Sequence, residues 1–441
     1  MKNRFFKYVS QNILAMIGLS LYILADTYFI SKAVGANGIT ALNMALPVYG
    51  VIFALGQMVG VGSAIRYSIV KEQYRNSNKD GSNECDKYFA GALFWGLVIG
   101  VIFAVLGLVF PDKIVEIMGG DETIVAIGVP YFRIFMSFSP FFIFNYTCNA
   151  FVRNDGNPSV SMAATLISSL FNIVFDYILM FPLGMGMPGA ALATALSPVV
   201  GVMICMIHFL SKKNTVKFKW FKISLTRLFH CCQVGMSAFV GEMSGAVIVM
   251  VFNFIILRLT GNIGVAAYGV VANTALVAVA VFNGVALGSQ PLISESYGKH
   301  NIKDIKLIEK LGVATALGLA VIIVIMIWGF TDTIVGVFNS QGSDRLLSLA
   351  RVGLRIYFIG FLFAGINIFC SSALSAIASV KWAFVLSILK GFVVVNVCAA
   401  ILAPIFGMNG VWVAFPLSEF ILLIISGVAM KKSIGALESE R

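Results

Sequence analysis

Long apolar runs separated by short polar stretches dominate this chain. A helix needs about 20 apolar residues to cross the hydrocarbon core of a bilayer. By that requirement the runs predict twelve crossings, at 10–33, 40–66, 88–110, 125–150, 158–182, 188–211, 231–258, 265–292, 309–330, 347–372, 381–404 and 409–430. Connections such as Arg153-Asn154-Asp155-Gly156-Asn157-Pro158 and Phe181-Pro182-Leu183-Gly184 are short and built of turn residues. The longest basic connector falls at the midpoint, so the pattern predicts an N-terminal six-helix lobe over 1–211, a basic linker over 212–230 and a C-terminal six-helix lobe over 231–441.

An internal repeat supports that division. Gly38-Ile39-Thr40-Ala41 through Gly62-Ser63 aligns without gaps, 226 positions on, with Gly264-Val265-Ala266-Ala267 through Gly288-Ser289. A second echo pairs Pro188-Gly189 with Asn409-Gly410. The expected fold is an all-α integral membrane protein with twelve transmembrane helices in two pseudo-symmetric six-helix lobes. Parallel repeats of that kind are a transporter architecture.

Composition agrees. Of 441 residues, 59% are hydrophobic and 12% charged, where a soluble domain carries about a quarter charged. The basic start Met1-Lys2-Asn3-Arg4 leads into a long apolar stretch with no A-x-A cleavage signature, so it reads as a first spanning helix and not as a removed signal peptide. The net charge of +11 raises the question of nucleic acid, but position excludes it. With the N-terminus inside, inward segments hold 23 Lys and Arg and outward segments hold four. That asymmetry orients both termini to the cytoplasm of a multi-pass plasma-membrane protein. The expected partners are the lipid bilayer and a small-molecule substrate, with no nucleic acid, and the chain is expected to work as a monomer.

Seven cysteines are scattered without paired C-x-x-C spacing, and read as small packing residues. His208, His230 and His300 fall at or beyond helix ends, read as solvated, and have no acidic partner evident in sequence.

Four acids lie well inside predicted spans: Asp26, Asp176, Glu242 and Glu419. A carboxylate at the bilayer centre costs about 2.5–3.5 kcal/mol on insertion scales. Such a group either faces a wet cavity and works, or is paired structurally. Tyr22 stands four residues before Asp26, and Asn172 four before Asp176, so each shares a helix face with its acid. Oxygen ligands of this kind hold Na⁺, and a desolvated carboxyl equally binds and releases protons. Glu242 and Glu419 are candidates for a substrate contact or a second proton site. Arg351, Arg355 and Lys390, also within spans, are candidates to neutralise them.

The residues at this point resemble the multidrug and toxic compound extrusion (MATE) transporters. Asp26-Thr27 precedes Gly35-Ala36 and Ala41-Leu42. Arg153-Asn154-Asp155-Gly156-Asn157-Pro158 looks like the family's R-G-x-G-x-x turn, with Asn154 for the usual Gly. Asn172-x-x-x-Asp176 is followed by Gly189-Ala190-Ala191-Leu192-Ala193-Thr194, and Gln290-Pro291-Leu292-Ile293-Ser294 by Tyr297-Gly298. The resemblance spans essentially the whole chain. It implies drug/H⁺ or drug/Na⁺ antiport by rocking of the lobes, no cofactor beyond the coupling ion, and a cation site on Tyr22, Asp26, Asn172, Asp176 and Thr194. The tenth span departs from some branches, having Arg351 and Arg355 where they carry an acid.

The expectation is therefore a non-enzymatic secondary antiporter, exporting small organic cations in exchange for H⁺ or Na⁺, with possible Na⁺ ligation by Asp26, Asn172, Asp176 and Thr194. One alternative is a lipid or lipid-linked-sugar flippase, which would carry several inward basic residues for phosphate. An integral membrane transferase would need a catalytic histidine or a paired acid site at the interface.

Overall fold

The computed structural model describes residues 1–77, 82–219, 221–338 and 343–439; Lys79 and Arg441, counted above among the inward charges, lie outside them. Seventeen α-helices follow one another in these residues: α1 Lys2–Ala33, α2 Ala36–Asn76, α3 Ser82–Val109, α4 Pro111–Ile117, α5 Glu122–Ser137, α6 Ser139–Asn154, α7 Pro158–Met180, α8 Met187–Phe209, α9 Leu225–Thr260, α10 Asn262–Gly298, α11 Ile302–Gly329, α12 Thr331–Phe338, α13 Asp344–Tyr357, α14 Phe361–Ala376, α15 Val380–Ile388, α16 Val394–Phe406 and α17 Met408–Ser439. The 3₁₀ turn Phe358–Gly360 joins α13 to α14, and the π-turn Leu389–Val393 joins α15 to α16. Eleven spans are long and apolar enough to cross a membrane, twelve with the bent pair α5–α6 taken as one. Helix is the expected solution here, because hydrocarbon offers no partner to an unpaired backbone amide.

The order repeats. In each half a long helix (α2, α10) is followed by a crossing with a short helix at its end (α3–α4, α11–α12), then by a broken crossing (α5–α6, α13–α14). The predicted fourth span thus proves to be two helices bent by 46°. Its cause is local: Pro140, in the first turn of α6, lacks the amide that would bond Met136 O. The Ser139 hydroxyl donates to that carbonyl instead (2.6 Å).

The chain divides into two compact units, Leu14–Phe239 and Met1–Ile13 with Val240–Arg441. Each is built around its own aliphatic and aromatic cores. The first residues of α1 thus belong to the unit that holds the C-terminal helices, and the first residues of α9 to the other.

Glycines set two matching close approaches. In the first unit, a Cβ on Gly62 of α2 would lie 2.1 Å from Cys231 O of α9, and one on Gly235 would lie 2.0 Å from Met58 O. In the second, a Cβ on Gly284 of α10 would lie 2.5 Å from Ile13 Cα of α1, and one on Gly288 2.7 Å from Val9 Cα. The small residues of the sequence repeat therefore let backbones touch. Gly62→Ala, which must displace backbone, is expected to lower stability by about 1–3 kcal/mol. Gly50→Ala on the same helix meets nothing within 4 Å and is expected to be neutral or stabilising by roughly 0.5–1 kcal/mol. Thermal unfolding of the two purified variants in detergent checks this pair.

Candidate functional site

α7 starts sharply because Pro158 occupies its first turn and the Asn157 side chain accepts from Val160 N (3.4 Å). From that start Asn172 and Asp176 fall one turn apart on a single face. The chain reverses through Gly184 and Gly186, both at positive φ, into α8. α8 then packs closely against α7, for a Cβ on Gly189 would lie 3.1 Å from Leu179 O. This hairpin brings Thr194 opposite Asn172. The Asn172 amide satisfies its neighbours when Nδ2 donates to Asp176 Oδ2 (3.1 Å) and Oδ1 accepts from Thr194 N and Oγ1 (both 3.3 Å).

Asp26, on α1, lies within hydrogen-bonding reach of Asp176. Asp26, Asn172, Asp176 and Thr194 are all buried, Asn172 and Asp176 completely. Asp26 Oδ1 and Asp176 Oδ1 are each buried with no hydrogen-bond partner among the described residues. Neither acid forms an ion pair there. A buried polar atom without a partner costs about 1–3 kcal/mol, more when charged, so each of these two oxygens would gain from acquiring a partner.

Tyr22 is buried but its hydroxyl meets the Tyr49 hydroxyl (3.1 Å) and not Asp26. Tyr131 of α5 lies beside Thr194 and in the electrostatic reach of both acids. Sequence reasoning missed Tyr49 and Tyr131; the signal available was a phenol hydroxyl in the middle of an apolar span. Glu242 is exposed on α9, with no hydrogen bond or ion pair among the described residues. Glu419 is 3% exposed and accepts from Asn367 Nδ2 at Oε2 (2.7 Å), while Asn367 Oδ1 accepts from Ser426 Oγ (2.8 Å). Lys390, in the π-turn, lies in the field of Glu419. Arg351 is spent elsewhere, on Asp332 (2.6 Å), and Arg355 offers its carbonyl to Trp328 Nε1 (3.0 Å). Among the described residues no three His, Cys, Asp or Glu side chains converge as metal ligands.

One histidine reverses its sequence reading. His208 is 1% exposed, and its Nε2 lies 2.9 Å from Asp155 Oδ2. Its Nδ1 faces Asn157 Nδ2 (3.2 Å), whose Oδ1 is committed to the α7 cap, so the tautomer protonated at Nε2 satisfies both sides. The solvated-histidine reading holds for the exposed His230 and His300 only. Asp155 also accepts from Tyr67 Oη (2.5 Å), Lys71 Nζ (2.7 Å), Thr215 N (2.9 Å) and the Thr215 hydroxyl. This hub ties α2, the end of α6, α8 and the segment after α8 together. Asp86 does the same beside it, accepting from Lys217 N (2.8 Å) and pairing with Lys219 Nζ (3.2 Å). The first part of the segment expected as a linker is thereby fastened to the Leu14–Phe239 unit.

Eleven or twelve apolar crossings and a buried acid pair without a basic partner, all among the described residues, define a polytopic membrane transport protein. The chain belongs to the MatE family, whose profile matches residues 12–178 and 238–405. It is similar to the multidrug export protein MepA of Staphylococcus aureus (strain bovine RF122 / ET3-1), 27% identical over 419 residues that cover 92% of this chain and 88% of the relative. Among solved structures it resembles a MATE crystallised in complex with MaL6, with TM-score 0.93 and 22% identity over 99% of this chain and 97% of the other. It also resembles the outward-facing conformation of a multidrug resistance MATE family transporter of the MOP superfamily, with TM-score 0.92 and 21% identity over 99% and 96%.

Burial by itself would raise the Asp155 carboxyl, but hydrogen bonds from His208 and Lys71 and the charge of Lys71 hold it below the ordinary carboxylate range. A depressed value stabilises the fold above the unfolded carboxyl's pKa of about 3.9, and is lost as pH falls towards the lower folded value. The hub should therefore hold at neutral and mildly acidic pH and fail only in strong acid. Asp155→Ala strands Lys71, His208 and Thr215 N, and should cost about 3–5 kcal/mol. Limited trypsin digestion should then cut faster at the exposed Lys212 and Lys213 than in the unaltered protein.

Proposed function

We propose that this chain is a secondary antiporter that exports small organic cations in exchange for H⁺ or Na⁺. The observation that carries the reading is the pairing of Asp26 with Asp176, both buried, each with an oxygen that has no partner and neither offset by a basic residue among the described ones. Two carboxylates this close in a low dielectric repel strongly when both are charged. A proton or a Na⁺ removes that repulsion, so the energy of the bundle depends on whether the ion is present. The donor set suits either ion: two carboxyls, with the Asn172 amide and the Thr194 hydroxyl as further hard oxygen ligands. Tyr22, joined to Tyr49, lies in the electrostatic reach of Asp26.

Coupling requires the ion and the substrate to prefer different arrangements of the protein. Ion binding at the acid pair would favour one arrangement and substrate the other. Glu242, exposed and without a partner among the described residues, suits contact with a cationic substrate. Glu419, held by Asn367 and near Lys390, suits a second proton. No phosphate-binding loop stands in the sequence, so an ion gradient is the proposed energy source. The reading also rests on the family and on the export activity named for the Staphylococcus relatives. The excess of inward Lys and Arg supports a plasma-membrane protein with both termini cytoplasmic, and the buried acid pair lies within one chain, which suits a working monomer.

Purified protein in liposomes, given a cationic fluorescent dye under an imposed pH gradient and separately under a Na⁺ gradient, tests the proposal. Dye movement should follow one of the two gradients. Asp26→Asn and Asp176→Asn should each reduce it to the level of protein-free vesicles, while reaching the membrane in normal amount. Dye movement unaffected by either gradient, or undiminished in both variants, would refute it.

A further inference from the structure

A group of basic residues gathers where α3 and α9 begin. A cavity of about 300 Å³ is lined by Lys87, Phe221, Lys222, Ile223, Ser224 and Arg227, at the lower end of the size range of ligand sites. Three of its six lining residues are cations. A narrower crevice lined by Tyr88, Trp95 and Cys231, among others, continues from the same residues. The Lys87 ammonium lies 5.7 Å from the centre of the Phe221 ring and the Arg227 guanidinium 5.6 Å from that of Tyr88, so aromatic faces hold the two charges in place.

One carboxylate faces them. Glu84 contacts Lys87 and lies 3.6 Å from Arg227. Lys222 is exposed and has no partner among the described residues, and 211–230 contains no acid. Among the described residues the three cations of the cavity thus face a single carboxylate, which leaves a surplus of positive charge.

Its position says where an anion would come from. α9 runs for 36 residues, about 54 Å at 1.5 Å per residue, against a hydrocarbon core of about 30 Å. Its opening turns thus reach into the headgroup layer. In the chain that flanks these lining residues, Phe218, Leu225 and Phe229 are 51%, 68% and 61% exposed. Apolar side chains set among lysines are the composition of a segment lying at a bilayer surface, and clustered Lys and Arg beside a span attract anionic lipid.

We propose that this cavity binds the phosphodiester headgroup of an anionic phospholipid, with Lys87, Lys222 and Arg227 on the phosphate and Phe218, Leu225 and Phe229 against the acyl region. Because the flanking segment is pinned to its unit through Asp86 and Asp155, the lipid would bridge α3 and the start of α9 and stabilise that corner of the fold.

The test compares thermal unfolding in nanodiscs of phosphatidylcholine with discs that also contain phosphatidylglycerol, in symmetric bilayers that do not depend on the orientation proposed above. Phosphatidylglycerol should raise the unfolding midpoint of the unaltered protein by roughly 2–4 °C, and high salt should reduce the rise. Lys222→Gln should lose more of it than Lys213→Gln, a lysine of the same segment outside the cavity. Glu84→Gln, which removes the competing carboxylate, should enlarge it. Native mass spectrometry should find a phosphatidylglycerol adduct on the unaltered protein that Lys222→Gln loses, a readout available even if Lys87→Gln or Arg227→Gln does not fold. Equal losses in Lys222→Gln and Lys213→Gln would overturn the proposal in favour of diffuse attraction. The same rise produced by inorganic phosphate in phosphatidylcholine discs would overturn the lipid as ligand. No rise at all would overturn the site.

Discussion

Hydrocarbon gives a polar group nothing to bond to, and each unpaired one there costs free energy that no solvent returns. Helices answer this for the backbone. Side chains have no general answer, so a polar residue inside this protein gains by finding a named partner. Ser139 repairs the carbonyl that Pro140 leaves open. Asn367 satisfies Glu419 and is itself satisfied by Ser426. Against that background, Asp26 and Asp176 are neighbouring acids that each leave an oxygen without a partner among the described residues, and this supports the ion site proposed there.

The same rule separates the acids proposed to bind an ion from an acid that holds the fold. Asp155 is as deeply buried as Asp26, yet four residues from three other parts of the unit converge on it. Its charge is fully used, and its role is to fasten α2, α6, α8 and the following segment into one corner. Asp26 and Asp176 face each other in place of a lysine or an arginine. Burial does not distinguish the two cases; partners do.

The acid pair was legible in the chain because a charge inside an apolar run is rare and expensive, and the i, i+4 spacing of Asn172 and Asp176 already places them on one face. Tyr49 and Tyr131 were not legible, since phenols are common in apolar helices and only packing shows which of them meet the site. The Asp155 hub was hidden for a related reason. Its bonds join residues 53 and 88 positions apart, and a histidine at a helix end is as readily a surface residue as a buried one. The segment after α8 reads in sequence as a basic linker, and only the structure shows that Asp86 and Asp155 grip its first part.

What the chain by itself determined is everything set by local hydropathy and spacing: twelve crossings, their repeat, the inward bias of positive charge, and the rarity of the buried acids. These follow from transfer free energies and helical periodicity, which act residue by residue. Tertiary structure decided the break within the fourth crossing, the division of the units at Ile13 and Phe239, and the pairing of each buried polar group. Those depend on which helices touch, and a hydrogen bond across two helices leaves no mark on either sequence alone.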